Sequence, residues 1–166
     1  MAIDMFLSIT DLTDEKGAPR PGTVVIDGVG YVPISDFSFS VANGGAVIVG
    51  VPAGQSQLEL NPLTVTLPVD VLTPLLLASV EQGTSHPSAT IIVQDSGHNP
   101  PVTTQQYEFA EVGVRSLAVA GSSGGEQQTA SLAYARLQVT FTPVSAQGKA
   151  EPPTTSGLSP APDAVG

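Results

Sequence analysis

TPLLLASVEQGTSHPSATIIVQD, residues Thr73–Asp95, is the stretch that decides the fold, because it contains the clearest helical pattern in the chain. Thr73 is a candidate N-cap, Pro74 suits the first helical position, and Gly83 is a stop signal. The residues between them are good helix formers with one apolar face. The apolar run at residues 89–94 then predicts a strand that is covered on both sides. The stretch therefore predicts one short helix followed by a buried strand.

Alternation with a period of two dominates the rest of the sequence. Alternating apolar and polar residues predict strands with one buried face. Such alternation occurs at residues 3–9, 36–41, 63–67 and 133–142, and GTVVIDG at 22–28 is a further short strand closed by turn residues. About seven strands with turn signals between them predict a mainly β fold. We expect an antiparallel β-barrel with one short α-helix that plugs or flanks it.

The segment QYEFAEVGVRSLAV, which begins at Gln106, changes the phase of its alternation twice. Slips of this kind are typical of β-bulges, which bend a long strand around a barrel. The sequence predicts bulges at Ala110–Glu111 and near Arg115–Ser116.

The composition excludes several classes of function. The chain of 166 residues has five basic and fifteen acidic residues, a formal net charge of −10, and no cysteine. This charge disfavours nucleic acid and anionic membranes as partners, and the lack of cysteine excludes disulfides and thiolate metal sites. The N-terminus does not resemble a signal peptide, and no apolar run approaches the ~18 residues of a transmembrane helix. We therefore expect synthesis in the cytoplasm and, if the protein leaves the cell, export by a route other than the general secretory one.

Ser79, His86 and Asp95 form the most suggestive set of catalytic residue types. A serine nucleophile needs a histidine base, a carboxylate and an oxyanion hole that the fold brings together. The sequence places Ser79 inside the helix without a G-x-S-x-G motif, His86 in the turn before Pro87, and Asp95 at the end of a strand. We therefore interpret Ser79 as a tolerated small helix residue and His86 as a turn or surface residue. The sequence predicts no catalytic constellation.

Other chemical sites have even less support in the sequence. His86 and His98 lack the spacing of a metal pair. Asp95, Glu108 and Glu111 could supply a glycosidase carboxylate pair, but the chain has no tryptophan and few aromatic residues to line a sugar cleft. GSSGGE at 121–126 lacks the Lys-Ser/Thr of a phosphate-binding loop and lies where a hairpin loop is expected. We expect no cofactor and no metal.

Two segments lie outside the predicted core. The loop ANGGAVIVGVPAGQSQ at 42–57 has an apolar tip formed by Val47, Ile48, Val49 and Val51. An exposed apolar tip is typical of a contact surface, and a further strand is an equal alternative. Residues 145–166 are rich in proline and small polar residues, which predicts a disordered or extended tail.

Four blocks follow one another along the chain. They are MAIDMFLSI, TPLLLASVEQGTSHPSATI, YEFAEVGVRSL and ASLAYARLQVTFTP. The markers within the second block are Thr73, Pro74, Leu76, Gly83, His86 and Pro87. Together the blocks resemble the strands and helix of the haemolysin-coregulated protein (Hcp) family, the tube proteins of type VI secretion systems. The resemblance covers about residues 1–144, a tube domain, and leaves residues 145–166 as a tail.

The resemblance implies a β-barrel subunit without enzymatic activity. Such subunits form six-membered rings that stack into the inner tube of a contractile injection machine. The implied partners are other copies of the chain, together with sheath, spike and baseplate proteins and effector cargo. The resemblance also implies export through the machine without a signal peptide. It gives the loop tip at 47–51 the role of bridging neighbouring subunits and stacked rings.

Three alternatives remain open at this point. The first is a tail-tube protein of another phage-like contractile machine, since the architecture is shared. The second is a monomeric β-sandwich binding module, although no aromatic platform or calcium-type acidic loop is visible. The third is a small hydrolase that uses His86. The chain also departs from the family: DFSFSV (36–41) stands where a Trp-rich strand is common, and the proline-rich tail is additional.

Overall fold

The computed structural model describes residues 3–15, 18–43, 58–70, 72–97, 101–145 and 149–158. Within these ranges the chain forms fourteen strands and one helix, which confirms the prediction of a mainly β fold with one α-helix. The elements are β1 (Ile3–Ile9), β2 (Asp14–Glu15), β3 (Ala18–Pro19), β4 (Val24–Ile26), β5 (Val29–Ile34), β6 (Asp36–Ser38), β7 (Val41–Asn43), β8 (Leu58–Leu60), β9 (Leu63–Pro68), α1 (Leu72–Gln82), β10 (Ser85–Asp95), β11 (Val102–Ser122), β12 (Gly125–Ala133), β13 (Arg136–Phe141) and β14 (Thr154–Leu158).

Ten of these strands form one antiparallel sheet. The strand order is β4-β5-β1-β10-β11-β12-β9-β6, with β13 on β11 and β14 on β13. The 21-residue strand β11 organises the sheet, because β10 lies along one of its edges while β12 and β13 follow each other along the other. Two small hairpins, β2–β3 and β7–β8, stand apart from this sheet.

The core follows the period-two pattern of the sequence. In β9, Leu63, Val65 and Leu67 are buried while Thr64 and Thr66 are only partly covered, so alternation and burial agree. The central strand β10 is buried at three consecutive residues, Ile91–Val93, as its continuous apolar run predicts. The helix α1 contributes Leu72 and Leu76 to the core.

One of the two predicted bulges is present in β11: the register with β12 shifts between Val114 and Ser116. At Ala110–Glu111 the prediction is wrong, because the register with β10 is the same on both sides of Glu111. Glu111 instead has a φ of 57°. Positive φ is unusual for a residue with a side chain, and it marks a sharp local bend.

Two predicted strands are interrupted. The alternation at 133–142 suggested one strand, but β12 ends at Ala133 and β13 begins at Arg136. The pairing register along β11 continues across the gap, so the break is local and lies beside the bend at Glu111. The alternation at 36–41 is likewise divided between β6 and β7.

The helix begins earlier than the sequence suggested. Its first described residue is Leu72, and the capping role expected of Thr73 belongs to Asp70, whose Oδ1 accepts a hydrogen bond from the Leu72 N–H at 2.8 Å. Thr73 Oγ1 in turn accepts the Asp70 N–H at 3.2 Å, a reciprocal arrangement like a capping box. Gly83 ends the helix as predicted, with a φ of 63°.

The two peripheral segments are described only in part. The apolar loop tip formed by Val47, Ile48, Val49 and Val51 lies outside the described residues, as does His98. In the tail, Thr154–Leu158 is extended and pairs with β13. The division of the chain at residue 144 stays a prediction.

Candidate functional site

The structure joins Ser79 of α1 to His86 of β10 by a hydrogen bond. The serine Oγ and the histidine Nε2 are 2.9 Å apart, and the two residues are only 4 % and 3 % exposed. The sequence interpretation of His86 as a turn or surface residue is therefore wrong, because β10 already begins at Ser85 and turns this side chain inward. Ser79 does lie within the helix, as the sequence indicated, and its hydroxyl is paired with the imidazole.

The end of the helix produces this contact. The backbone N–H groups of Gly83 and Thr84 both donate to the Ser79 carbonyl, at 3.0 and 3.3 Å, which closes the last turn tightly. The left-handed conformation of Gly83 then reverses the chain. As a result, the beginning of β10 brings His86 to face Ser79.

Burial dominates the electrostatics of His86. It lowers the pKa of the imidazole below its usual value of 6.5, because a charged ring would lose its hydration. The backbone of Thr10 and the carboxylate of Asp11 oppose this shift but do not cancel it. Nδ1 is buried and makes no hydrogen bond of ordinary geometry among the described residues, although the Thr10 backbone lies near the ring. The neutral form of His86 is therefore the one that suits the fold.

Asp95 does not complete a triad with this pair. It is the last residue of β10, nine positions along the strand from His86, so the two lie about 30 Å apart at ~3.3 Å per residue. Ser79 is also buried, which leaves no room for a substrate beside its hydroxyl. The arrangement ties the helix to the sheet, and no hydrogen bond joins the imidazole to a carboxylate among the described residues.

The other chemical candidates are also separated or paired. Glu111 forms an ion pair with Arg136 at 2.9 Å, and Glu108 accepts a hydrogen bond from Gln106. Residues Ser122–Gly125 form the tip of the β11–β12 hairpin, as expected for GSSGGE. In the part of the chain that the structure describes, no three histidine or acidic side chains are grouped as metal ligands. No helix among the described residues has the combined length and apolar character that crossing a membrane requires.

Exposed apolar side chains mark the surface more clearly than any cleft does. Large apolar residues between 39 % and 60 % exposed occur on six different elements. They are Ile3, Val24, Val25, Val41, Leu77, Val119 and Phe141. Val25 belongs to β4, which ends the main sheet, and Val119 belongs to the outer half of β11, where it pairs with β12. Exposed apolar side chains on several elements can contribute to contacts with other protein surfaces where they adjoin one another.

Comparison with known proteins identifies the family. A family model described as "Type VI secretion system effector, Hcp" matches residues 6–141. The chain belongs to the Hcp family. It is 27 % identical over 150 residues to Protein hcp1 of Pseudomonas aeruginosa, covering 89 % of this chain and 88 % of that protein. The family match ends at the last residue of β13 and leaves β14 outside it.

Solved structures share the fold. A type six secretion system protein superposes with a TM-score of 0.78 at 19 % identity, over 95 % of this chain and 96 % of that one. Hcp1 from Salmonella typhimurium does so with a TM-score of 0.72 at 17 % identity, over 96 % and 95 % of the two chains. A type VI secretion system effector from Yersinia pestis gives 0.68 at 13 % identity, over 94 % and 99 %. The resemblance inferred from the four sequence blocks is therefore confirmed.

Proposed function

We propose that this chain is a structural subunit that assembles into hexameric rings, and that these rings stack into the inner tube of a type VI secretion system. The observation on which this rests most is the Hcp family match, which extends from β1 to the end of β13. The fold shared with Hcp structures over nearly the whole chain supports it.

The surface is physically suited to self-association. Only 12 % of the residues are charged, about half the roughly 25 % of an average domain. A ring with one kind of subunit needs two different complementary patches on each copy. Val25 on β4 and Val119 on β11 are exposed apolar residues on separate strands, and we assign them to two such patches.

The proposed subunit is a closed β-barrel. β5 and β9 lie in contact although they are separated in the strand order, so the two ends of the main sheet approach each other. A closed sheet leaves fewer unpaired edges than an open one, which matters for a protein that is stored at high local concentration in an assembly.

The remaining roles follow from the family and from the chain together. The apolar tip formed by Val47, Ile48, Val49 and Val51 bridges neighbouring subunits and stacked rings. Ser79 and His86 hold α1 against β10 and take part in no reaction. The protein is made in the cytoplasm and exported with the machine, which brings it into contact with sheath, spike, baseplate and effector cargo.

The test of assembly is light scattering after size exclusion, followed by negative-stain microscopy. We expect a mass of six subunits and hollow rings, and stacks at higher concentration. A protein that stays monomeric at high concentration and shows no rings contradicts the proposal. Deletion of residues 45–50 should leave folded rings that no longer stack, and unchanged stacking would remove the loop from its proposed role.

The two apolar patches can be tested by charge. Val25→Asp and Val119→Asp each place a carboxylate in a proposed contact, where desolvation of the charge should shift the mass from the ring to the monomer. Ser38→Asp is the control, because Ser38 is exposed on β6 and lies outside both patches. Rings that survive both valine substitutions would assign the contacts to other surfaces.

A further inference from the structure

The edge of β13 would be a good template for another strand. The strand has the sequence RLQVTF, in which Leu, Val, Thr and Phe all favour extended structure and Arg136 is the only charge. Its last residue, Phe141, has half of its surface exposed. An edge with these properties pairs readily with other chains, because it offers a row of backbone donors and acceptors beside apolar side chains.

In this structure β14 covers that edge. Five residue pairs join the two strands in antiparallel register, from Leu137 with Leu158 to Phe141 with Thr154. A short connection holds the hairpin together: Ser145 donates its N–H to the Lys149 carbonyl, and Glu151 donates its N–H to the Pro143 carbonyl, both at 2.8 Å.

β14 contributes almost nothing besides its backbone. The side chains of residues 154–157 are all exposed, so the strand adds no described side chain to the core. Its one side-chain hydrogen bond joins Thr155 Oγ1 to Thr140 Oγ1 at 3.1 Å, and this bond is exposed as well. A strand held in this way opens at a low free-energy cost.

The outer edge of β14 is a much poorer template than the edge it covers. Pro152 and Pro153 precede the strand and cannot donate backbone hydrogen bonds, and Gly157 lies within it. β14 pairs with β13 alone among the described strands. With β14 in place, the exposed edge of the sheet is therefore one that pairs less readily with another strand.

We propose that the edge of β13 is a self-association surface for a second copy of this chain, and that β14 is a guard that keeps it closed. Two β13 edges can pair antiparallel about a two-fold axis, and the centred register places Arg136 opposite Phe141, so like charges do not meet. Such a pair closes at a dimer, whereas a ring requires a heterologous contact. By covering this edge, β14 directs assembly away from dimers. This benefit to ring formation rests on the proposed ring function. The pairing of β13 edges can nevertheless be tested without rings.

The test uses the absence of cysteine from the chain. Gln138 on β13 is exposed, so Gln138→Cys gives one accessible thiol at the edge, and a short bis-maleimide can link two such thiols in the centred register, where they lie close to each other across the pair. Deletion of residues 152–166 should raise the yield of cross-linked dimer about tenfold, equivalent to about 1.4 kcal/mol of released association energy. Deletion of residues 159–166 is the control, since it retains β14. Equal yields from the two deletions overturn the proposal.

Two further variants keep the test decisive. If the shortened chain fails to fold, Thr155→Pro in the full-length Q138C chain interrupts β14 instead, and it should raise the dimer yield in the same way.

The double variant Thr140→Cys with Thr155→Cys locks β14 onto β13 by a disulfide. We expect locked chains to form rings as reduced chains do, and rings that appear only after reduction would show that β14 must leave. Absence of rings from every variant contradicts the tube function, while the cross-linking result still decides on the edge.

Discussion

The joint between α1 and β10 and the hairpin of β13 and β14 are held by opposite means. At the joint, two buried side chains, Ser79 and His86, share a hydrogen bond, and the same helix contributes Leu72 and Leu76 to the core. In the hairpin, backbone hydrogen bonds join strands whose contact adds no buried side chain from residues 154–157. The joint should therefore contribute to the free energy of unfolding of the whole domain. The hairpin should instead determine whether the edge of β13 can pair with another strand.

This difference has a physical basis in what each region loses on opening. Separation of α1 from the sheet exposes apolar surface that packs mainly on β11 and leaves Ser79 and His86 without their partners, and both carry a cost. Separation of β14 from β13 exposes backbone groups that water can solvate. Substitutions at matched positions in the two regions should therefore differ in their effect on the free energy of unfolding.

The largest effect is expected where α1 enters the core. Leu76 is 1 % exposed, so Leu76→Ala should lower the free energy of unfolding by about 2–5 kcal/mol through lost burial and the cavity that remains. Leu77 is the next residue on the same helix and is 50 % exposed, and Leu77→Ala should change stability by less than ~1 kcal/mol. Urea unfolding followed by circular dichroism measures both. Equal losses would mean that the helix does not pack as described.

The hydrogen bond at the joint should have the next largest effect. Ser79→Ala removes the partner of His86 Nε2 and leaves this buried ring nitrogen unsatisfied, at a cost of about 1–3 kcal/mol. Ser85→Ala is the matched control, because Ser85 begins β10 and is exposed. Urea unfolding should separate the two variants clearly. Similar midpoints would show that the Ser79–His86 bond contributes no net stability.

Acidification should weaken the same joint, because protonation of the buried imidazole is unfavourable in the folded chain. The folded chain holds His86 at a pKa below 6.5, so the unfolded chain binds the extra proton first as the pH falls. Stability is therefore complete above pH 6.5 and is lost as the pH drops from there through the folded pKa. His86→Gln should flatten the dependence in that window, in urea midpoints measured from pH 8 to 5. An unchanged slope would assign the acid sensitivity to other groups.

The sequence predicted the fold better than it predicted contacts between side chains. Alternation identified β1 and β9, and one phase slip identified the register shift between Val114 and Ser116, because these patterns record local backbone geometry. The family resemblance rested on the same local blocks and is confirmed. What local patterns do not record is how one element returns onto another.

The Ser79–His86 contact illustrates that limit. Gly83 was recognised as the end of the helix, but its φ of 63° decides the direction in which β10 leaves, and this direction brings the imidazole to the serine. The observed helix begins earlier than the sequence predicts for a related reason. Asp70 and Thr73 are both suitable N-cap residues, and only the three-dimensional structure shows that Asp70 accepts the Leu72 N–H. The signal that could have indicated the contact is a helix-ending glycine between a serine and a histidine that are seven residues apart.

The smallest effect is expected in β14, and it tests the comparison most directly. Thr155→Ala removes an exposed hydrogen bond with Thr140, so the free energy of unfolding should change by less than ~0.5 kcal/mol. Thr13→Ala is the matched substitution in the core, where the hydroxyl is fully buried, accepts the Ile9 N–H at 3.1 Å and lies 3.1 Å from Ser8 Oγ. It should cost about 1–3 kcal/mol because those groups lose their partner. If Thr155→Ala proved as destabilising as Thr13→Ala, β14 would be an integral part of the cooperative fold, and it could not serve as a guard that opens at low cost.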